Sequence, residues 1–184
     1  DNYELLGDLY LSKRNACHWY CLSKSENKLD QARFENPLLS IIRCEDSQKN
    51  LAVAKKISST IDGNIINKFT HPIKNPKSKI RLGYISCDFR DHPIGQMSSS
   101  LFEFHQRDQF QVHVYSYGIN DHSLYRKRVE RTVDKFTDIA FVPDNLAAKI
   151  IYDDQIDILI DLSGYTTNAR PAILSYRPAP TQIN

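Results

Sequence analysis

Apolar residues in the first third of the chain recur at the spacing of amphipathic helices. They fall at intervals of three and four over residues 3–10, 38–42 and 51–61. Gly7 lies in the first of these segments and a second helix is predicted from about Ala16, an arrangement that resembles a tetratricopeptide (TPR) helix pair. An ordinary helical hairpin fits nearly as well, because one repeat cannot bury its faces alone.

A linker is predicted after this helical segment. Gly63, Pro72, Pro76 and the neighbouring lysines interrupt the apolar pattern. We place the domain boundary at about residue 72. It divides the chain into an all-α, TPR-like segment over residues 1–72 and a second domain over residues 73–184.

Strand-like and helical segments alternate in the second domain. The predicted strands cover residues 80–86, 110–116, 136–142 and 156–161. The predicted helices cover residues 93–105, 123–133 and 145–153. This alternation predicts an α/β domain with a Rossmann-like parallel sheet. Because such sheets bind ligands at the carboxyl ends of their strands, the loops at residues 87–95 and 162–170 are the places to look for chemistry.

Composition and charge narrow the classes of partner. Hydrophobic residues make up 41% and charged residues 25% of the chain, which is typical of a globular protein. The 24 basic and 22 acidic residues nearly balance, so neither nucleic acid nor an acidic membrane is an expected partner. No segment has the roughly 18 to 20 apolar residues of a membrane helix.

Cysteine usage indicates the compartment. The four cysteines are Cys17, Cys21, Cys44 and Cys87. They form no C-x-x-C pair, which argues against a zinc site and against a secreted disulfide framework. A cytoplasmic location is therefore predicted. Because the chain begins at Asp1 without an initiator methionine and ends at Asn184 in a predicted strand, it is expected to be a fragment.

Three ordered motifs of the second domain carry a family resemblance. They are Lys79-Ile-Arg-Leu-Gly-Tyr-Ile-Ser-Cys-Asp-Phe-Arg-Asp-His-Pro93, Ile156-Asp-Ile-Leu-Ile-Asp-Leu-Ser-Gly-Tyr-Thr166 and Arg177-Pro-Ala-Pro-Thr-Gln182. In this order they resemble motifs of the O-GlcNAc transferase / SPINDLY family, glycosyltransferase family 41. The resemblance covers about residues 78–184.

The resemblance implies a fold and a reaction. It implies the first half of a GT-B fold, with the C-terminal catalytic half absent, so that this fragment alone is expected to be inactive. The implied enzyme is an inverting protein O-glycosyltransferase that needs no metal and no cofactor. It would transfer N-acetylglucosamine from UDP-GlcNAc to serine or threonine hydroxyls of protein acceptors, or fucose from GDP-fucose as in plant SPINDLY relatives.

Two residues are candidates for catalysis. His92 follows the first strand and matches a histidine proposed in the family as a base or acceptor-side residue, and a neutral imidazole is available near physiological pH. The alternative is a structural histidine that caps the loop beside Pro93. Asp161 ends a buried strand and matches an acid considered catalytic or orienting in the family. Equally, its carboxylate could accept hydrogen bonds from the amides of Ser163 and Gly164.

Other residues are predicted to bind substrate. In addition to Pro93, the resemblance places Gly164, Tyr165 and Thr166 along the donor cleft, with the Tyr165 hydroxyl bonding to sugar or phosphate rather than acting as a base. Arg170 could face a diphosphate, but a surface arginine at the start of a helix explains it at least as well.

Two rival functions are left open. The chain could belong to a binding module whose helical part recognises proteins and whose α/β part is a scaffold. It could also belong to an unrelated nucleotide-binding enzyme, although no G-x-G-x-x-G loop follows the first strand.

Overall fold

The computed structural model describes residues 3–17, 22–30, 35–72 and 79–184. The chain forms two compact units, Asp1–Asn64 and Ile65–Asn184, which we call the helical unit and the α/β unit. None of the helices in the described ranges is long and apolar enough to cross a membrane.

The helical unit contains four described helices. They are α1 (Tyr3–Asn15), α2 (Leu22–Asp30), α3 (Pro37–Arg43) and α4 (Ser47–Gly63). Asn36 and Asp46 begin α3 and α4 because their side chains accept hydrogen bonds from the first free amides of each helix. Tyr10, Leu22 and Leu39 belong to the small core. Whether this unit is a tetratricopeptide repeat stays a prediction.

The predicted start of the second helix, at about Ala16, is wrong. Ala16 and Cys17 form a turn after α1, and Cys17 has a φ of 56°. A residue with this left-handed conformation commonly ends a helix. Helix α2 is described from Leu22. Residues 18–21, with Cys21, lie outside the described residues, as do Lys74, Pro76 and Lys77 of the predicted linker.

The α/β unit consists of a five-stranded sheet and four α-helices in its described part. The strands are β1 (Ile80–Ser86), β2 (Phe110–Ser116), β3 (Lys135–Asp138), β4 (Ile158–Asp161) and β5 (Thr181–Ile183). The helices are α5 (Pro93–Leu101), α6 (Leu124–Thr132), α7 (Asp144–Asp153) and α8 (Pro171–Ser175). The strand order is β3-β2-β1-β4-β5, and each pairing is parallel, which confirms the predicted α/β class.

Each face of the sheet has its own apolar core. Leu82, Val112 and Val129 belong to a cluster on the face covered by α5 and α6. Ile85 and Ile151 belong to the cluster on the opposite face, with α7 and α8. Alternate residues of β1 therefore enter opposite cores, as the twofold periodicity of a strand requires.

Several predicted elements are shorter in the structure, and α5 and β3 differ most from their predicted ends. Helix α5 ends at Leu101 and continues only as a 3₁₀ turn over Phe102–Phe104. Strand β3 ends at Asp138, and a turn closed by the hydrogen bond from Val142 N to Ile139 O replaces the predicted extended segment. Both differences come from tertiary packing. Phe102 and Ile139 are the first residues after α5 and β3, and both are fully buried in the two cores.

Residues 65–72 belong to the α/β unit and pack against α7 and the end of α8. Phe69 stacks on Tyr152 with ring centroids 4.3 Å apart, and its amide donates to Tyr176 O at 2.8 Å. Residues 65–72 therefore extend the compact α/β unit towards the N-terminus, beyond the predicted boundary at about 72.

Candidate functional site

The loops after β1 and β4 meet at one edge of the sheet. From β1 the chain adds β2 and β3 on one side of the sheet, and β4 and β5 then follow on the other side of β1. The direction of the chain connections therefore reverses between β1 and β4. The carboxyl edge at such a reversal is the usual ligand site of open α/β sheets. We call this edge the rim, and it consists of residues 87–92, 117–123, 139–143 and 162–170.

Buried hydroxyl groups join the two loops beneath the rim. Ser86 Oγ lies 3.0 Å from Ser163 Oγ, and Asp88 N donates to Ser86 Oγ at 3.0 Å. Cys87 Sγ lies 3.9 Å from the same Ser163 hydroxyl, and burial is the main reason that the pKa of this thiol is raised. The role of Ser163 in joining the loops was not predicted, because its partners Ser86 and Cys87 are more than 70 residues away in the sequence.

His92 is the N-cap of α5. Its Nδ1 accepts a hydrogen bond from Ile94 N at 3.3 Å, and Pro93 follows as the first helical residue. The same Nδ1 lies 3.8 Å from Asp88 Oδ2, while Asp88 Oδ1 accepts from Arg90 Nη2 at 3.0 Å. About a third of the imidazole, 36%, is exposed. The structure therefore combines the capping position with access from the rim.

Asp161 is buried at the end of β4. Its Oδ1 accepts from Ser163 N at 3.0 Å, and its Oδ2 accepts from Gly164 N and from Asn184 Nδ2, both at 3.1 Å. Burial raises the pKa of this carboxyl, and these hydrogen bonds oppose the rise. The two amides that the structural alternative named are both donors to Asp161.

The turn that follows Asp161 needs Gly164. Its φ is 56°, a left-handed conformation that costs other residues more. Thr166 closes the turn, because its Oγ1 and its amide both donate to Ser163 O, at 2.8 Å and 3.0 Å. Tyr165 is half-buried and Thr166 is exposed on the rim.

Arg170 is bonded within the protein through all three of its side-chain nitrogens. Nε donates to Asp144 Oδ1 at 2.7 Å, Nη1 donates to Ile139 O at 2.9 Å, and Nη2 donates to Val142 O. Only 20% of the side chain is exposed. The observed role of Arg170 is to tie the loop after β4 to the loop after β3, and binding of a diphosphate by this residue stays a prediction.

A cavity of about 500 Å³ opens on the rim beside these residues. It is lined by Cys87, Arg90, Tyr117, Gly118, Ile119, Asp121 and Asn168. The loop after β2 was not predicted to contribute to the site, although the mostly polar residues 118–123 follow a clear strand. The signal was available, because every loop after a parallel strand reaches the carboxyl edge.

Gly118 fixes the wall between β1 and β2. A Cβ atom at this position would lie 1.8 Å from Cys87 O, so only glycine permits the approach. Tyr117 is 9% exposed, and burial raises the pKa of its phenol. Within the described residues, no three His, Cys, Asp or Glu side chains are grouped so that they could hold a metal ion.

Comparison with known proteins identifies the class and then the family. The chain matches a solved structure of a mutant of the Thermobaculum terrenum O-GlcNAc transferase, with a TM-score of 0.72 and 25% identity, over 79% of this chain and 28% of that chain. The fold is therefore that of part of a glycosyltransferase of the O-GlcNAc transferase type. The model of the family described as Glycosyl transferase family 41 matches residues 38–184, and the chain belongs to this family.

Two relatives from Arabidopsis thaliana show how much of such a protein the chain represents. The probable UDP-N-acetylglucosamine--peptide N-acetylglucosaminyltransferase SEC is 34% identical over 80% of this chain, which corresponds to 16% of the relative. The probable transferase SPINDLY is 32% identical over 60% of this chain and 12% of the relative. The chain thus spans about a sixth or less of the length of these curated relatives.

Proposed function

We propose that this chain is part of a protein O-glycosyltransferase that transfers N-acetylglucosamine from UDP-GlcNAc to serine or threonine hydroxyls of protein acceptors. Membership of family 41 and the names of the two relatives support the donor and the acceptor class. The observation that carries the proposal is the meeting of the loops after β1 and β4 on an exposed rim of one sheet.

The proposed reaction inverts the configuration at the anomeric carbon. The acceptor hydroxyl oxygen attacks that carbon from the face opposite the diphosphate. The new C–O bond forms as the bond to UDP breaks, and the hydroxyl proton passes to a base. The protein's contribution is to orient the hydroxyl, to accept the proton and to stabilise the departing negative charge.

His92 is the proposed base, and its tautomer decides whether it can act. While Nδ1 accepts the Ile94 amide, a neutral ring carries its proton on Nε2, which is then a donor. When Nδ1 instead donates to Asp88, whose Oδ2 is 3.8 Å away, the ring proton is on Nδ1. Nε2 then has a free lone pair and can accept the proton of the hydroxyl. Asp88 would then orient the imidazole as the acid partner of a catalytic histidine does.

Asp161 is proposed to position the donor cleft rather than to remove the proton. Both of its oxygens already accept hydrogen bonds from the turn over residues 162–164 or from Asn184. In this role it holds Gly164, Tyr165 and Thr166 on the rim, where the Tyr165 hydroxyl can bond to sugar or phosphate. The proposal involves no metal and no cofactor, and the missing C-terminal half would supply most contacts to the nucleotide.

The test is transfer by the full-length protein to a serine-containing peptide, with UDP-GlcNAc and GDP-fucose compared as donors. We expect transfer from UDP-GlcNAc in the presence of EDTA, with NMR showing the β-anomer of the product. Transfer from GDP-fucose alone would replace the donor assignment. Peptide binding without transfer from either donor would favour the scaffold function instead.

The matched variants in that assay are His92→Gln and His122→Gln. Both replace a rim imidazole with a neutral amide, but only His92 adjoins Asp88. We expect His92→Gln to lower kcat at least about a hundredfold and His122→Gln to leave it unchanged.

The proposal also includes a cytoplasmic location, which fluorescence microscopy of the tagged full-length protein would test.

A further inference from the structure

We propose that the rim cavity binds the polypeptide backbone of the acceptor next to its reactive hydroxyl, an inference that rests on the proposed function. The cavity has about 500 Å³ of space, which is within the roughly 300–1,000 Å³ that is usual for ligand sites. Its walls come from three loops, those after β1, β2 and β4.

The walls offer hydrogen-bond donors and acceptors together. Arg90 and the Asn168 amide supply N–H donors, and the Asp121 carboxylate supplies acceptors. Tyr117 and Cys87 form a less polar base. A peptide group presents one N–H and one C=O, so it can pair with both kinds of wall.

The charge of the cavity lining favours an acceptor peptide over the diphosphate of the nucleotide. Arg90 is the one basic residue among the seven that line the cavity, and Asp88 already pairs with it at 3.0 Å. Asp121 adds a carboxylate to the lining, and Asp91 follows Arg90 on the same loop. This excess of negative charge disfavours a diphosphate, whereas it costs little for an uncharged backbone.

The polar groups are held in place before any ligand binds. Asp121 Oδ2 accepts from Asp91 N at 2.7 Å and Oδ1 accepts from Ser123 N at 3.1 Å, which leaves further lone pairs on each oxygen. Asn168 has a left-handed φ of 64°, a conformation that asparagine tolerates better than most residues. Preorganised groups lose little entropy when a ligand binds.

The cavity also adjoins the proposed base. The amide of His92 donates to Arg90 O at 2.8 Å, so Arg90 and His92 belong to one tight turn. A peptide backbone that contacts Arg90 would therefore bring a neighbouring serine or threonine side chain towards the imidazole.

The test measures binding by the full-length protein, without chemistry. The probe is a fluorescein-labelled, uncharged peptide with one serine flanked by alanine, proline and glycine, followed by anisotropy. We expect Arg90→Gln and Asn168→Gly each to weaken peptide binding about tenfold and to leave UDP-GlcNAc binding unchanged. Asn168→Gly keeps the left-handed backbone and removes only the amide.

Arg128→Gln is the matched control for Arg90→Gln. The two arginine side chains are 39% and 40% exposed, and each pairs with one carboxylate, but Arg128 lies on α6 with Glu103. We expect this variant to bind the peptide as the wild type does.

An ester in place of the peptide bond next to the serine tests backbone recognition directly. We expect the ester to weaken binding to the wild type about tenfold and to cost much less in Asp121→Asn, because the N–H that the ester lacks pairs with that carboxylate. Loss of UDP-GlcNAc binding in the cavity variants, or peptide binding that none of them changes, would overturn the proposal. Wild-type binding without sugar transfer would refute the proposed function and leave the cavity proposal standing.

Discussion

Asp88 is expected to matter for the proposed chemistry because its carboxylate can orient the imidazole of His92. Replacing it by asparagine in the full-length protein removes the charge that stabilises the Nδ1–H tautomer of His92. We expect Asp88→Asn to lower kcat at least about tenfold, with little change in the KM for either substrate. Steady-state kinetics with varied peptide and varied UDP-GlcNAc measure the three quantities.

The control for this variant is Asp153→Asn. Asp153 also pairs with a basic side chain, Lys149, but on α7 and 54% exposed. The Asp153→Asn variant should retain the wild-type kcat. Equal kcat values for Asp88→Asn and the wild type would show that His92 acts without Asp88.

The location of the candidate residues in the fold could be predicted from the sequence, but their hydrogen-bond partners could not. His92 was predicted in the loop after β1 and Asp161 at the end of β4, and both were expected at one edge because a parallel sheet brings the carboxyl ends of its strands together. The three partners of Arg170 could not be predicted, since they lie 26 to 31 residues earlier and two of them are backbone carbonyls. Backbone acceptors carry no sequence signal, so a buried arginine and a ligand-binding arginine look alike in the sequence.

At the scale of elements, the contact between the ends of β1 and β2 depends on Gly118. An alanine there would place its Cβ 1.8 Å from Cys87 O, a backbone atom that cannot move without shifting β1. We expect Gly118→Ala to lower the free energy of unfolding by roughly 1–3 kcal/mol. Urea denaturation of the 184-residue chain, followed by circular dichroism, measures the change.

Gly63→Ala is the matched substitution. No atom lies within 4 Å of the Cβ position at Gly63, and this residue is in a helix. Its replacement should leave the free energy of unfolding unchanged or raise it by up to about 1 kcal/mol. Equal stability of the two variants would mean that the β1 and β2 ends separate easily.

His113 makes the packing of β2 sensitive to acid. The ring is 6% exposed, and neither of its nitrogens has a hydrogen-bond partner in the described part of the chain. Burial lowers the pKa of this imidazole, and Asp154, whose Oδ2 is 3.7 Å from Nδ1, opposes the shift. Lys135 and Arg81 face the same region and favour the neutral ring.

The direction of the pH dependence follows from this shift. The unfolded chain takes up a proton on His113 near its ordinary pKa of about 6.5, while the folded chain does so only at lower pH. The free energy of unfolding should therefore fall as the pH drops below about 6.5, because the unfolded state binds more protons there. In His113→Phe this dependence should weaken, and urea denaturation over a series of pH values would measure it.

His122→Asn is the control, because His122 is exposed and asparagine tolerates its left-handed φ of 57°. Its pH dependence should match the wild type. If His113→Phe kept the full acid sensitivity, other groups would be responsible.

The type of an element could be predicted where its apolar pattern extended over many residues. The residues at which helices and strands begin and end could not. The alternation of apolar runs with helical segments was enough to predict the order of β1 to β4 and of α5 to α7. The start of the second helix was predicted too early, at about Ala16, because the left-handed turn at Cys17 uses a residue with no strong turn preference. The early end of β3 was missed because Ile139 continues the apolar pattern while its backbone turns into the core.

At the scale of the whole molecule, the described rim offers no lysine or arginine without a carboxylate partner. Arg90 and Arg170 are the basic residues in the four rim loops, and each pairs with an aspartate, Asp88 or Asp144. The leaving diphosphate gains negative charge as its bond to the sugar breaks, and that charge needs stabilisation in the transition state. In the proposed reaction this stabilisation is assigned to the C-terminal catalytic half, since the match to the related solved structure covers only 28% of that structure.

The 184-residue chain alone is therefore expected to transfer no sugar. The measurement is incorporation of radiolabelled N-acetylglucosamine into the serine peptide, with the full-length protein as the positive control at equal concentration. Because the rim cavity is formed within the α/β unit, the same chain should still bind the uncharged peptide, which separates loss of chemistry from loss of folding. Transfer by the isolated chain at a rate near that of the full-length protein would mean that the paired arginines of the rim suffice for the departing diphosphate, and the division of labour proposed here between the two catalytic halves would be wrong.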